Sequence, residues 1–263
     1  MRHVSLFTGI GGIDLAAEWA GFTTIAQVEC DPYCLAVLAK HWPDVPRCDD
    51  IRNFPDQEYG AVTLVSGGFP CQPFSAAGKR RGRTDDRHLW PEMLRVIRAI
   101  KPSWVLAENV PGLLAIESGM AFETVLTDLE DAGYETWAGV IPAAGVGAPH
   151  FRYRVFVVGH AKSKRCGEER SDSGRSEKWV TSPSADVADT EKPRLAQRIP
   201  DRRGFKERIA GLKQGDWWAV EPDVGRVASR TPSRVDRLRC LGNAVVPQQV
   251  YPILKAIAEV EKR

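Results

Sequence analysis

The sequence lacks the features that mark membrane, zinc-bound or exported proteins. No apolar run approaches the ~18 residues a spanning helix needs. Met1 to Ser5 lead straight into a strand-like segment, without the charged-then-apolar pattern of an export signal. The six cysteines, at positions 30, 34, 48, 71, 166 and 240, form no C-x-x-C pair, and no histidine cluster completes a zinc set. Reduced thiols, no metal, no membrane and a cytoplasmic location are the expectations. Cys30 and Cys34 are spaced as helix neighbours, a spacing that packing explains. Internal repeats are also absent.

What is present is enough apolar material for a core. A hydrophobic content of 43% over 263 residues excludes a largely disordered chain. The length suits one large α/β domain, or such a domain carrying a small insert. The net charge of +2 conceals an uneven distribution. Residues 162–239 hold 19 Lys and Arg against 13 Asp and Glu, whereas the remainder holds 17 against 21. A slightly acidic body with one basic segment suits an enzyme with a local polyanion-contacting surface, although solvated charged insertions look the same.

Residues 2–7 read as a strand entering a glycine-rich turn, 8–12, and residues 13–20 then carry helical periodicity up to Gly21. Strand-like runs follow at 23–28, 61–66, 104–107 and 154–159. Helix-like runs occupy 32–41, 91–100 and 122–132, with Pro32 suited to a first turn. This alternation predicts an α/β fold with a doubly wound, mostly parallel sheet. Ligands of such sheets gather beyond the carboxyl ends of the strands. From 162 to about 230 the pattern dissolves into Ser, Arg, Gly, Asp and Pro, and Trp179, Phe205, Trp217 and Trp218 favour a small irregular core there. Regular structure resumes at Val235 and ends in a helix over 250–260.

The chemistry-bearing residues sit at the predicted strand ends. Phe7-Thr8-Gly9-Ile10-Gly11-Gly12 joins a strand to a helix, where glycines let the backbone approach a ligand. Glu29 closes the next strand, roughly 20 residues on, placed to accept hydrogen bonds from a ribose. That spacing does not separate NAD from S-adenosylmethionine. Gly67-Gly68-Phe69-Pro70-Cys71-Gln72-Pro73 makes a rigid loop after a strand, a poor place for a core thiol. Glu108-Asn109-Val110 ends the following strand. A thiolate and a carboxyl group over one cleft fit addition to an electron-poor ring assisted by protonation.

Taken in order, these motifs resemble the cytosine-5 DNA methyltransferase family of bacteria and phages over nearly the whole chain. The resemblance implies a Rossmann-like S-adenosylmethionine-dependent methyltransferase: a catalytic and cofactor-binding domain over 1–161, a small target-recognition domain over 162–233, and a C-terminal return over 234–263. Phe7, Gly9, Gly11, Gly12, Glu29, Asp50, Ile51, Pro70, Leu89, Asn243 and Val245 are then the cofactor residues, with Gly242-Asn243-Ala244-Val245 closing the pocket. Cys71 is the implied nucleophile and Glu108 the acid that holds the cytosine. Arg152 and Arg154 are the implied paired arginines near the base and complete the catalytic set, with Arg154 contacting the base or orienting Glu108. Two departures stand out: His150 replaces a common Gln, and Cys30 stands where relatives often place an aromatic, leaving Ile51, Phe7 and Leu89 as apolar contacts to the adenine.

The implied reaction flips a cytosine out of double-stranded DNA, adds Cys71 to ring carbon 6 and methylates carbon 5. Ser75, Lys79, Arg80, Arg81 and Arg83, in the loop after the nucleophile, are the expected phosphate contacts. The resemblance leans towards a monomer and leaves a cognate restriction endonuclease, as in a restriction-modification system, open. A transfer-RNA cytosine-5 methyltransferase shares the same active-site set. An NAD-dependent enzyme with a redox thiol, or a non-catalytic DNA-binding relative, would leave Glu108 or the Gly242 motif without a role.

Overall fold

The alternating apolar runs assemble into one seven-stranded sheet. The computed structural model describes residues 1–54, 59–70, 89–162 and 232–262. Its strands are β1 (Arg2–Leu6), β2 (Thr23–Val28), β3 (Arg47–Cys48), β4 (Leu64–Gly67), β5 (Trp104–Asn109), β6 (Tyr134–Pro142) and β7 (Tyr153–Ala161). They lie in the order β3-β2-β1-β4-β5-β7-β6. The β1–β2, β1–β4, β2–β3 and β4–β5 pairs are parallel. β7 alone runs against its neighbours β5 and β6. The order reverses beside β1, which makes the carboxyl ends of β1 and β4 the switch point at which such sheets bind ligands.

The α-helices among the described residues are α1 (Gly12–Trp19), α2 (Pro32–His41), α3 (Trp90–Ile100), α4 (Met120–Asp131), α5 (Arg234–Asn243) and α6 (Pro247–Val260). Alternation along the strands divides the core into two layers. Val4, Leu6, Val65 and Val105 pack with Met93 and Ile97 of α3 and Val125 and Leu129 of α4. Leu64, Leu106 and Phe156 pack with Ala16 and Ala17 of α1 and Leu254 and Ile257 of α6. Strands buried on both faces explain why their runs were apolar throughout.

A row of buried polar groups fixes α1 on the sheet. His3, on β1, bridges Thr24 of β2 (2.9 Å) and Ser66 of β4 (2.7 Å). Burial pushes its imidazole down to about 3, so it is neutral and one ring nitrogen accepts. Asp14, in the first turn of α1, accepts from Ser5 Oγ (2.8 Å) and Gln27 Nε2 (3.0 Å). A helix tied at its first turn to two strands holds the preceding glycine turn in one place.

Agreement with the expected elements is close, and the differences have physical causes. Two strands were not anticipated. β3 is two residues long, and β6 is a half-exposed edge strand, Tyr134–Pro142. The strand expected at 61–66 is Leu64–Gly67. Cys30 is exposed ahead of α2 and does not share that helix with Cys34, because Asp31 caps it by accepting from Tyr33 N and Cys34 N. Cys71, Ser75, Lys79, Arg80, Arg81 and Arg83 lie outside the described residues, as do 163–231. Contacts divide the chain into two units, Met1–Ala161 with Asp216–Arg263, and Lys162–Gly215; the elements named above all belong to the first. No helix among the described residues is long and apolar enough to cross a membrane.

Leu254 is fully buried between α6 and the α1 layer. Leu254→Ala should cost ~2–5 kcal/mol of unfolding free energy, read by urea denaturation as a lower midpoint with unchanged slope.

Candidate active site and cofactor pocket

The carboxyl edge of the sheet is built by close backbone approaches. β1 ends at Leu6, and the next residue, Phe7, has a φ of 51° that places a bulky residue in the left-handed region. Gly9 and Gly11 continue the turn with φ of 59° and 84°. A side-chain carbon at Gly12 would collide with the carbonyl oxygen of Val245, so the late motif lies directly on the first turn of α1. A carbon at Gly9 would meet nothing within 4 Å. The turn is therefore closed on one side and open on the other.

Glu29, just beyond β2, organises that opening. Its Oε2 accepts from Gly9 N at 2.6 Å and its Oε1 from Asp31 N at 2.8 Å. Each carboxylate oxygen has a second lone pair, so both can still accept from a vicinal diol. Asp50 caps the short helical turn Ile51–Asn53 by accepting from Arg52 N at 2.9 Å. Ile51 is buried in the core, and Leu89 packs against the same layer ahead of α3. The open turn and the acceptor pair fit a nucleoside-bearing cofactor. A cleft of about 920 Å³ opens beside Gly11, Gly12, His41, Trp42 and Val245, but neither Glu29 nor Glu108 lines it.

The acid site lies at the ends of β4 and β5. Glu108 is 7% exposed. Its Oε1 forms an ion pair with Arg154 Nε of β7 at 2.7 Å. A side-chain carbon at Gly68 would come within 2.9 Å of Glu108 Oε2; glycine there leaves the carboxyl group its room. Burial pushes the Glu108 carboxyl up to about 7, against the charges of Arg154 and Arg152, which favour the carboxylate. A carboxyl poised there can give or hold a proton near neutral pH.

The two arginines have different tasks. Arg154 pairs with Glu108. Arg152 turns its guanidinium towards α5 and donates to the carbonyls of Gly242, at 2.7 Å, and Ala244. Sequence reasoning places both near the base, with Arg154 contacting it or orienting Glu108; the turn of Arg152 towards α5 is what it lacks. It also missed two amides. Asn109 donates from Nδ2 to Phe69 O at 2.9 Å and accepts from Val110 N, fixing the backbone that leads through Pro70 to Cys71. Gln249, fully buried on α6, donates from Nε2 to Ile141 O and Arg152 O, both at 2.8 Å. Asn109 was legible as part of its motif; Gln249 carried no local signal, because its partners lie about 100 positions away.

A seven-stranded sheet with one reversed strand, a glycine turn facing a ribose-type acid, and a buried carboxyl at the next strand ends define the Rossmann-like class of S-adenosylmethionine-dependent methyltransferases. Comparison with known proteins narrows the class. A family model described as C-5 cytosine-specific DNA methylase matches residues 1–208, and the chain belongs to that family. The type II methyltransferase M.AquIA of Picosynechococcus sp. is 40% identical over 181 residues, spanning 62% of this chain and 73% of that protein. M2.BsuMI of Bacillus subtilis is 39% identical over 164 residues, spanning 60% of this chain and 41% of its own length. The matched stretch thus covers most of the first relative and under half of the second. The S. pombe Dnmt2 methyltransferase matches over the whole of both chains with a TM-score of 0.63 at 16% identity, a likeness of fold.

The raised Glu108 carboxyl sets a stability slope. The folded protein holds this proton more tightly than the unfolded chain, whose carboxyl has its ordinary value of 4.5. Its contribution is therefore full below pH 4.5 and is lost as pH rises to about 7. Urea unfolding of the wild type and Glu108→Gln across that interval should show a flatter profile in the variant. Parallel profiles would contradict a buried, raised carboxyl.

Proposed function

We propose that the protein transfers a methyl group from S-adenosylmethionine to carbon 5 of a cytosine flipped out of double-stranded DNA, through a covalent bond to Cys71. The observation that carries this reading is the buried Glu108 at the end of β5. It is held by Arg154, and its neighbour Asn109 grips the backbone of Phe69, two residues before Cys71.

The roles follow from chemistry. Glu108, protonated near neutral pH, donates to ring nitrogen 3 and draws electron density from the ring. Cys71 adds as thiolate to carbon 6, forming the C–S bond and leaving carbon 5 electron-rich. S-adenosylmethionine, when bound, supplies an electrophilic methyl group on its sulfonium. Loss of the carbon-5 proton to a base, with breakage of the C–S bond, frees Cys71. Glu29 would hold the cofactor's ribose and the 9–12 turn its amino-acid end, with Phe7, Asp50, Ile51, Pro70 and Leu89 around the adenine and methionyl chain. Asn243 and Val245 close the pocket; support for that comes from the contact of Val245 with Gly12.

Ser75, Lys79, Arg80, Arg81 and Arg83 are assigned to DNA phosphates, and 162–233 to target recognition, on charge and position in the chain. The relatives' designation as type II methyltransferases supports membership of a restriction-modification system with a cognate endonuclease. The same reading makes the enzyme a cytoplasmic monomer. The transfer-RNA alternative gains nothing from the family match.

Duplex DNA carrying 5-fluorocytosine tests the covalent step, because fluorine cannot leave as the proton does. With S-adenosylmethionine the wild type should form an adduct stable to denaturing electrophoresis, and Cys71→Ala should form none while binding cofactor normally. Methyl transfer from labelled cofactor to transfer RNA but not to duplex DNA would overturn the substrate assignment.

A further inference from the structure

Two cysteines that the reaction does not use meet where α5 rests on α2. Cys34 and Cys240 stand 206 positions apart in sequence, yet their sulfurs are 3.1 Å apart. Both are buried and both are free thiols. Cys240 is the one buried residue of α5, whose Val235, Leu238 and Leu241 are all exposed. The other tie at this point is the ion pair from Arg239 to Asp31 Oδ2, at 2.6 Å. A sulfur contact and an ion pair thus hold α5 to the start of α2.

That hold bears on the cofactor turn. α5 runs directly into Asn243–Val245, and the Val245 carbonyl abuts Gly12. α2 begins three residues after Glu29. Whatever fixes α5 against α2 therefore fixes the wall of the turn relative to its acid.

A metal is the competing use of these atoms, since Asp31, Cys34 and Cys240 are the one group among the described residues whose donor atoms cluster tightly enough for an ion. The carboxylate of Asp31 is already engaged. Its Oδ1 accepts from Tyr33 N and Cys34 N, and its Oδ2 faces the Arg239 guanidinium. A cation would have to displace another cation, and two sulfurs alone fall short of a closed four-ligand site.

We propose that Cys34 and Cys240 form a reversible disulfide that staples α5, and with it the wall of the cofactor turn, to α2. The oxidant is a peroxide. One sulfur takes an oxygen atom from hydrogen peroxide to give a sulfenic acid, with release of one water. The second thiol attacks that sulfur, and the sulfenic oxygen leaves with its hydrogen and the thiol's proton as a second water. Two thiols are oxidised and one peroxide is reduced; a small dithiol reverses the step by exchange. Burial and the nearby Glu29 and Asp31 carboxylates push the Cys34 thiol well up. The pair therefore reacts more slowly than an exposed thiolate and responds to sustained oxidation.

The test uses the full chain. Activity is a poor readout because Cys71 is itself oxidisable, so the bond is read by mass and the helix by amide exchange. After peroxide treatment, alkylation and digestion, a cross-linked peptide joining Cys34 to Cys240 should appear, two hydrogens lighter than its parts and lost on adding dithiothreitol. Amides of α5 should exchange on the order of tenfold or more slowly in the oxidised protein. Cys34→Ser and Cys240→Ser should abolish both changes. Cys34→Ala and Cys240→Ala, with unfolding measured in the reduced state, serve if a buried serine disrupts the contact. Alkylation of both cysteines after peroxide has consumed exposed Cys30 would overturn the proposal. So would a cross-link that leaves α5 exchange unchanged, or one equivalent of zinc bound by the reduced chain and lost in both variants.

Discussion

A carboxyl group cannot leave water without partners or a proton, and the way this chain meets that constraint at Glu108 organises the carboxyl edge of its sheet. The group is too buried to ionise as an ordinary glutamate, yet two arginines stop it from becoming a permanently neutral one. Gly68 gives it room, Arg154 reaches it from the reversed strand, and the result is a carboxyl balanced near neutrality. The reversed β7 matters here. Antiparallel pairing sets Glu108 of β5 opposite Phe156, two residues from Arg154. The buried acid and its counter-charge thus come from adjacent strands that run in opposite directions.

A second set of contacts couples this acid site to the cofactor turn. Gln249 on α6 holds the backbone of Arg152, Arg152 holds the carbonyls that end α5, and Val245 follows to lie on Gly12. Arg152 has a positive φ of 24°, a strained conformation that survives because its surroundings determine it. The segment from Arg234 onward thereby returns to the glycine turn that the first strand and helix build. The Cys34–Cys240 contact lies on the same route, one helix away, which is why a bond there would act on the cofactor side of the molecule.

Most of the site could be read from local sequence because most of it is local. A glycine turn after a strand, an acid at the next strand end, and Gly-Gly-Phe-Pro-Cys and Glu-Asn-Val at later strand ends each announce their backbone geometry within a few residues. The same holds for the helices: Pro32 at a first turn and the apolar period of α3 are chain-local signals. β3 escaped notice because two residues carry no pattern, and β6 because a half-exposed edge strand need not alternate cleanly between apolar and polar residues. Gln249, and the pairing of Cys34 with Cys240, escaped because a buried amide or thiol has no distinguishing neighbours in sequence. Their meaning lies wholly in what they touch.

The sequence by itself determined most of the strands and helices, the family, and the candidates for nucleophile and acid, since each depends on residue types at short spacing. Tertiary structure alone decided that Arg152 would turn to the end of α5, and that Glu108 would sit near neutrality. It also decided that Asp14 would dock α1 on two strands and that two distant thiols would meet. The reason is physical: burial, and the charges that face a buried group, are set by chain segments far apart in sequence, and no local pattern records them.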